Sequence, residues 1–291
     1  MLDWFLSLWS EDWRAFFVYI SGGAHQEFYA SFGLILLAAF FGGLLALAFG
    51  LLGASVARSN TWGVAVFGRL YINTVRGIPD LLFLVFFPLA MTLTIKIVRT
   101  WLYCTSGTAL FDGINFVGCA ASGFLTSPNS WQAFIYDFMI ACLALGLVYG
   151  AFVANVIRGA LDTVPAAQLE TARAFGMTER QVFWRILVPQ MWVYAWGGLT
   201  NSWMLLVKST SLLSLMGIFE AVWWTVNKLG PPQPRAFVGY VHGDWTVYYF
   251  GILLIFYLAF TFASETAFAW GQRRVSRGMI SERRGSKTYG L

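Results

Sequence analysis

Charge is the scarcest property of this chain. Of its 291 residues only 11% are Asp, Glu, Lys or Arg, where a soluble domain carries roughly 25%. Water is therefore not its main solvent. Histidine is reduced to His25 and His242, and cysteine to Cys104, Cys119 and Cys142. The two histidines read as isolated and outside the membrane spans, with no spaced Cys, His or carboxylate set around them. Neither a metal centre nor histidine-based catalysis has a basis in the sequence. A Gly-x-x-x-x-Gly-Lys-Ser/Thr loop is also missing. Lys208-Ser209-Thr210 has the tail of one without its glycines, so the chain is read as binding no nucleotide and no cofactor of its own. A cleavable signal is not expected either, because Asp3, Glu11, Asp12 and Arg14 interrupt the first residues and no basic region precedes a clean apolar core. No repeat at a fixed period and no low-complexity tract is visible.

What the chain does hold is apolar and aromatic material, 58% and 18% of its residues. It is gathered into long blocks parted by short polar ones, the layout of an all-α integral membrane protein with about five transmembrane helices. The blocks run over residues 28–57, 62–103, 132–157, 191–217 and 245–271. The second is too long for one straight crossing and is interrupted at Arg76-Gly-Ile-Pro79-Asp80. This reads as an elbow helix to Val75, a break, and then the spanning part. Residues 1–27, with Trp4, Trp9 and Trp13, read as an amphipathic segment at the bilayer surface. Arg58-Ser-Asn60 after the first block, and Arg273, Arg274, Arg277, Arg283, Arg284 and Lys287 at the end, place those segments inside. The N-terminus is then outside, residues 28–272 form the membrane domain and 273–291 a basic inner tail. The net charge of +5 does not argue for nucleic acid, since the basic residues sit at the ends of apolar blocks. Two outer loops are expected, 104–131 and 220–244. The first holds Cys104 and Cys119, either as a disulfide or as two thiols, while Cys142 reads as a small buried hydrophobe.

The most polar interior stretch, 158–190, lies inside by this count. It reads Gly159-Ala-Leu-Asp-Thr-Val-Pro165-Ala-Ala-Gln-Leu-Glu170-Thr171-Ala172-Arg-Ala-Phe-Gly176, then continues to Arg-Ile186-Leu-Val-Pro189. Pro165 is suited to start a helix, and Gly176 to end it with a left-handed residue. The stretch resembles the EAA loop of ABC importer permeases in the spacing of Glu170, Ala172, Gly176, Ile186 and Pro189. Thr171 stands for an Ala, and Val188 for a Leu. The resemblance implies a type I importer permease fold in a bacterial inner membrane, with a periplasmic N-terminus and a cytoplasmic C-terminus. It also implies a cytoplasmic coupling helix in which Pro165, Glu170, Thr171, Ala172, Gly176 and Pro189 transmit closure of a separate ATPase. ATP and Mg would sit on that partner. The implied partners are an ATPase dimer, a second permease chain (similar to this one but not identical, or else a second copy of it), a periplasmic solute-binding protein and the lipid bilayer.

Three further segments resemble the polar amino-acid group of these permeases, especially its histidine/lysine/arginine/ornithine and opine members. They are Arg76-Gly-Ile-Pro79-Asp80, Gly150-Ala-Phe-Val-Ala-Asn155-Val-Ile-Arg158-Gly159 and Leu206-Val-Lys208-Ser209-Thr210-Ser211. A basic amino acid or an opine is the implied solute. Arg76, Pro79, Asp80, Asn155, Lys208, Ser209 and Thr210 are the candidates for its path. A carboxylate within a span costs several kcal/mol unless it faces protein or water, so Asp80 leads this set. It either meets a substrate ammonium or caps a helix and pairs with Arg76. Lys208 either lines the path or snorkels, and Ser209 and Thr210 either line it or bond between helices. Asn155 stands where relatives often carry Glu, which leaves a neutral amino acid open as well. The alternative is a proton-coupled secondary transporter using Asp80 at a broken helix. A membrane enzyme lacks any nucleophile, base and orienter set.

Overall fold

The computed structural model describes residues 11–103, 111–112, 115–116, 131–232 and 242–276. Its apolar runs are helical because in hydrocarbon each backbone N–H and C=O has to be satisfied within its own segment. Helix α1 (Glu11–Ile20) stops at Ser21, and α2 (Gly23–Ala57) begins two residues later. After the turn at Arg58 comes α3 (Trp62–Gly77). Ile78 then adopts an extended conformation, φ −88° and ψ 136°, as a residue before proline must. Helix α4 (Asp80–Tyr103) starts directly after Pro79 and carries Pro88 inside it. The elbow thus runs two residues past the expected Val75, because only Pro79, not Gly77, excludes the helical conformation before it.

In the expected outer loop, Phe111–Asp112 (β1) and Asn115–Phe116 (β2) pair antiparallel, Phe111 opposite Phe116. Cys104 and Cys119 lie outside the described residues. Cys142 is buried and free, on α5 (Trp131–Thr163). This helix is the most enclosed of the long apolar helices: 72% of its most apolar window is buried, against 11% in α4. Helix α6 (Ala166–Ala174) follows, then α7 (Glu179–Val182), which passes through a π turn, Phe183–Leu187, into α8 (Val188–Ser209). Pro189 explains the π turn: it has no N–H to give and its ring crowds the carbonyl four residues back, so the helix widens just before it. Helix α8 tightens into a 3-10 turn, Thr210–Met216, that ends at Gly217.

Residues 220–244, expected to be an outer loop, are a loop only in part. Ala221–Trp224 (α9) and a π turn, Thr225–Leu229, form a second helical piece bent by 54° from the helix before it. Its Ala221, Thr225 and Leu229 are buried, one face at a spacing of four, and Glu220 caps it by accepting the Val222 N–H at 2.8 Å. That spacing stands just before Pro231, Pro232 and Pro234, whose loop signal outweighs it in the sequence. Helix α10 (Thr246–Val275) closes the described chain. Among the described residues four helices are long and apolar enough to cross a bilayer, or five if the bent pair is one span.

The chain divides into two units. The first comprises 1–42, 80–144 and 209–256, and the second 43–79, 145–208 and 257–291. In the first, aromatic rings carry the packing: Phe28 against Tyr249 and Phe32 against Phe256, at 5.5 and 4.6 Å between centroids. In the second, small residues bring helices together. A Cβ on Gly68 of α3 would stand 2.4 Å from the Ala57 backbone nitrogen of α2. Around this approach Ala54, Ile72, Ala154, Ile157 and Ala195 form the core. Between apolar helices in lipid, such close contact is the main source of packing energy.

Candidate functional site

The 158–190 stretch of the second unit is built as a short helix held on a rigid frame. Pro165 precedes α6 with φ −61° and ψ 124°, an extended entry in which its missing donor costs nothing. At the other end Gly176 takes φ +80°. Its N–H donates to the Arg173 carbonyl at 2.9 Å, and the Met177 N–H to the Ala172 carbonyl at 3.2 Å, the paired bonds of a Schellman cap. Thr178 then opens α7 with a capping box, donating its backbone N–H to Gln181 at 2.9 Å and accepting the Gln181 N–H at 3.4 Å. Arg173 bridges both helices, giving two hydrogen bonds to the Glu179 carboxylate at 2.6 and 3.1 Å. Gln190 donates to Gln168 at 2.6 Å, tying the start of α8 to α6. Arg58 and Asp162 pair at the foot of the loop.

One side chain of α6, Ala172, is buried, and it turns the helix so that Glu170 and Thr171 face outward. Thr171 donates back to the Ala167 carbonyl at 2.7 Å. Beside them Phe175 is 85% exposed and Trp184 61% exposed. Neither aromatic was singled out in the sequence. The signal was available: two large aromatics in a stretch otherwise polar, each next to a cap or a break. Large apolar side chains left this exposed suit contact with a partner protein or with the membrane.

Residues 46–277 match the family described as the binding-protein-dependent transport system inner membrane component. The chain belongs to that family. The permease is 30% identical to the octopine transport system permease protein OccQ of Rhizobium radiobacter over 241 residues, 83% of this chain and 86% of that one. It is likewise 30% identical to the histidine/lysine/arginine/ornithine transport system permease protein HisQ of Escherichia coli strain K12, over 81% of this chain and 87% of that one. A crystal structure of an amino acid ABC transporter with histidines shares the fold, with a TM-score of 0.58 and 17% identity over 85% of this chain and 93% of that one.

The expected path residues of the permease divide between its units. Arg76, Pro79, Asn155 and Lys208 belong to the second, and Asp80, Ser209 and Thr210 to the first. Arg76 lies over the Phe152 ring at 5.6 Å, a cation–π contact on the helix that also carries Asn155. Asn155 and Lys208 are exposed, and Thr210 is fully buried. Asp80 stands half-buried in the first turn of α4, where its charge suits the helix N-terminus.

The two histidines are not isolated, and His25 lies on α2, one of the apolar crossing helices. Both are buried in the first unit. His25 Nε2 shares a hydrogen bond of 2.6 Å with the Tyr249 hydroxyl. His242 Nδ1 donates to the Gly243 carbonyl at 2.7 Å, which leaves Nε2 to accept from the Tyr19 hydroxyl at 2.8 Å. The Tyr19 and His25 rings meet edge to face at 4.7 Å, and Trp245 stacks on His242 at 4.2 Å. Sequence distances of 223 and 224 residues separate the bonded pairs, so no local pattern links them. Among the described residues no group of three metal-ligating side chains occurs.

Proposed function

We propose that this permease imports a polar amino acid, a basic amino acid or an opine, in an ATP-driven complex of a bacterial inner membrane. Its partners in this reading are a cytoplasmic ATPase dimer, a second permease chain similar to it but not identical, and a periplasmic solute-binding protein. The observation that carries the reading is α6, a capped helix that offers Glu170, Thr171 and Phe175 outward while the Arg173–Glu179 bridge and the Gln168–Gln190 bond stiffen its base. A helix so braced moves as a body. When the ATPase dimer closes on ATP, the push on α6 passes through the π turn at Phe183–Leu187 to α8. Each state of the cycle needs its own differential contact, with nucleotide on the inner side and with loaded binding protein on the outer side. The N-terminus is then periplasmic and the C-terminus cytoplasmic, as the Arg and Lys asymmetry demands.

Proteoliposomes holding the complete complex test this. ATP-dependent accumulation of an amino acid or octopine is expected, with none when the ATPase is left out. Accumulation under a proton gradient without ATPase would overturn the reading in favour of a secondary transporter.

A further inference from the structure

Charge on this chain is concentrated at one end. Residues 273–291 hold six basic side chains against one acidic, Glu282, so the whole net charge of +5 resides there and residues 1–272 balance. Arg273 and Arg274 lie in the last turn of α10, the final apolar crossing helix. Both are exposed, and neither makes an ion pair among the described residues. The nearest acidic residue before them in the chain is Glu265, eight positions ahead of Arg273, about 12 Å along a helix.

The neighbouring helix fixes which way this turn faces. The Trp196 N–H of α8 donates to the Phe268 carbonyl at 2.9 Å, and a Cβ on Gly271 would stand 2.4 Å from the Trp196 ring. Gly271 therefore packs on α8, and Trp270, Arg273 and Arg274, at i, i+3 and i+4, lie together on a different face. Trp270 is 59% exposed, and Arg274 lies over its ring at 4.5 Å. A ring contact consumes no N–H donor, so the guanidinium keeps its donors for another partner. An exposed tryptophan at the end of an apolar crossing helix marks the headgroup level of a bilayer, where the anions in reach are lipid phosphates. Arginine grips a phosphate through two parallel N–H donors.

We infer that the last turn of α10 is a docking site for an anionic phospholipid, whose headgroup phosphate is held by Arg273 and Arg274 beside Trp270, and that the basic residues of 277–291 add attraction to the same leaflet. This rests on the inward C-terminus of the import reading above and adds a lipid partner on that side. Clustered Arg and Lys directly after a crossing helix favour anionic over zwitterionic lipid, by about fivefold per charge near the surface. An acidic surface of the ATPase would use the same charges, but it would not call for an exposed tryptophan at the end of an apolar run.

The test uses the complete permease–ATPase complex in detergent. Phosphatidylglycerol labelled on its acyl chain is bound at equilibrium and followed by fluorescence anisotropy, with equally labelled phosphatidylcholine as the comparison. Wild type should prefer phosphatidylglycerol by at least about tenfold, and high salt should shrink that preference. Arg273→Gln with Arg274→Gln should cut it by at least about fivefold, while Arg273→Lys with Arg274→Lys should cut it by less than about twofold. The Gln pair should melt within about 1 °C of wild type, since both side chains are exposed. Equal affinity of wild type for the two lipids, a preference untouched by the Gln pair, or displacement of the lipid by inorganic phosphate would overturn the inference. A Gln pair that sheds the ATPase and keeps its lipid preference would assign the patch to the ATPase instead. A protease site added after Leu291 and cut only from outside intact cells would sink the inward orientation, and the import reading with it. Cleavage only from inside, together with equal lipid affinities, would overturn this inference alone.

Discussion

At the scale of single residues, Gly176 shows how backbone geometry sets a functional surface. Its φ of +80° closes the Schellman cap, and nothing stands within 4 Å of where a Cβ would be. A substitution there is limited by conformation, not by space. Gly176→Ala should destabilise the permease by about 1–2 kcal/mol and lower uptake per ATP hydrolysed, while Gly176→Asn, which tolerates the left-handed region, should lose much less. Equal behaviour of the two variants in melting and in the uptake-to-hydrolysis ratio would refute this account. His25 and Tyr249 make a second case. Each is buried, and the Tyr249 hydroxyl is the partner of His25 Nε2, so Tyr249→Phe should cost about 1–3 kcal/mol by leaving Nε2 unpaired. The double variant His25→Phe, Tyr249→Phe should cost less than the sum of the singles. A thermal-melting cycle that comes out additive would show that the bond contributes nothing.

At the scale of elements, two contacts are decided by what stands opposite. Gly68 on α3 faces the α2 backbone, and Gly63 on the same helix meets nothing within 4 Å. Gly68→Ala should therefore lose about 1–3 kcal/mol through overpacking, and Gly63→Ala should be neutral or slightly stabilising. Melting temperatures of the purified complex compare them directly. On the coupling loop, Phe175 is too exposed to support the fold, so Phe175→Ala should leave the melting temperature within about 1 °C. It should nevertheless weaken ATPase retention on an affinity column by about tenfold or more, the behaviour of an aromatic anchor at an interface. Unchanged retention would remove Phe175 from the docking surface and return attention to Glu170.

At the scale of the molecule, transport has to be a property of the assembly. The chain carries no phosphate-binding loop in its sequence, and in the reading proposed above a separate ATPase acts on α6. Among the described residues four helices can cross a bilayer, or five with the bent pair counted as one span. The expected magnitude is all or none: vesicles with the permease alone should not concentrate solute.

How much of this was legible depends on the range over which each feature is decided. Apolar run lengths, the Pro79 break, the helix opened by Pro165 and the left-handed stop at Gly176 follow from local backbone chemistry. The residues that cause them are adjacent in the chain, and so the sequence alone determined the long apolar runs and the shape of α6. The helical piece Ala221–Leu229 was half legible, its buried spacing outweighed by nearby prolines. What only the tertiary structure decided was which distant groups share a space. His25 with Tyr249, and Tyr19 with His242, depend on side chains that meet across 224 and 223 residues of sequence. Burial and electrostatic complementarity act through space, and no short window of sequence contains both partners.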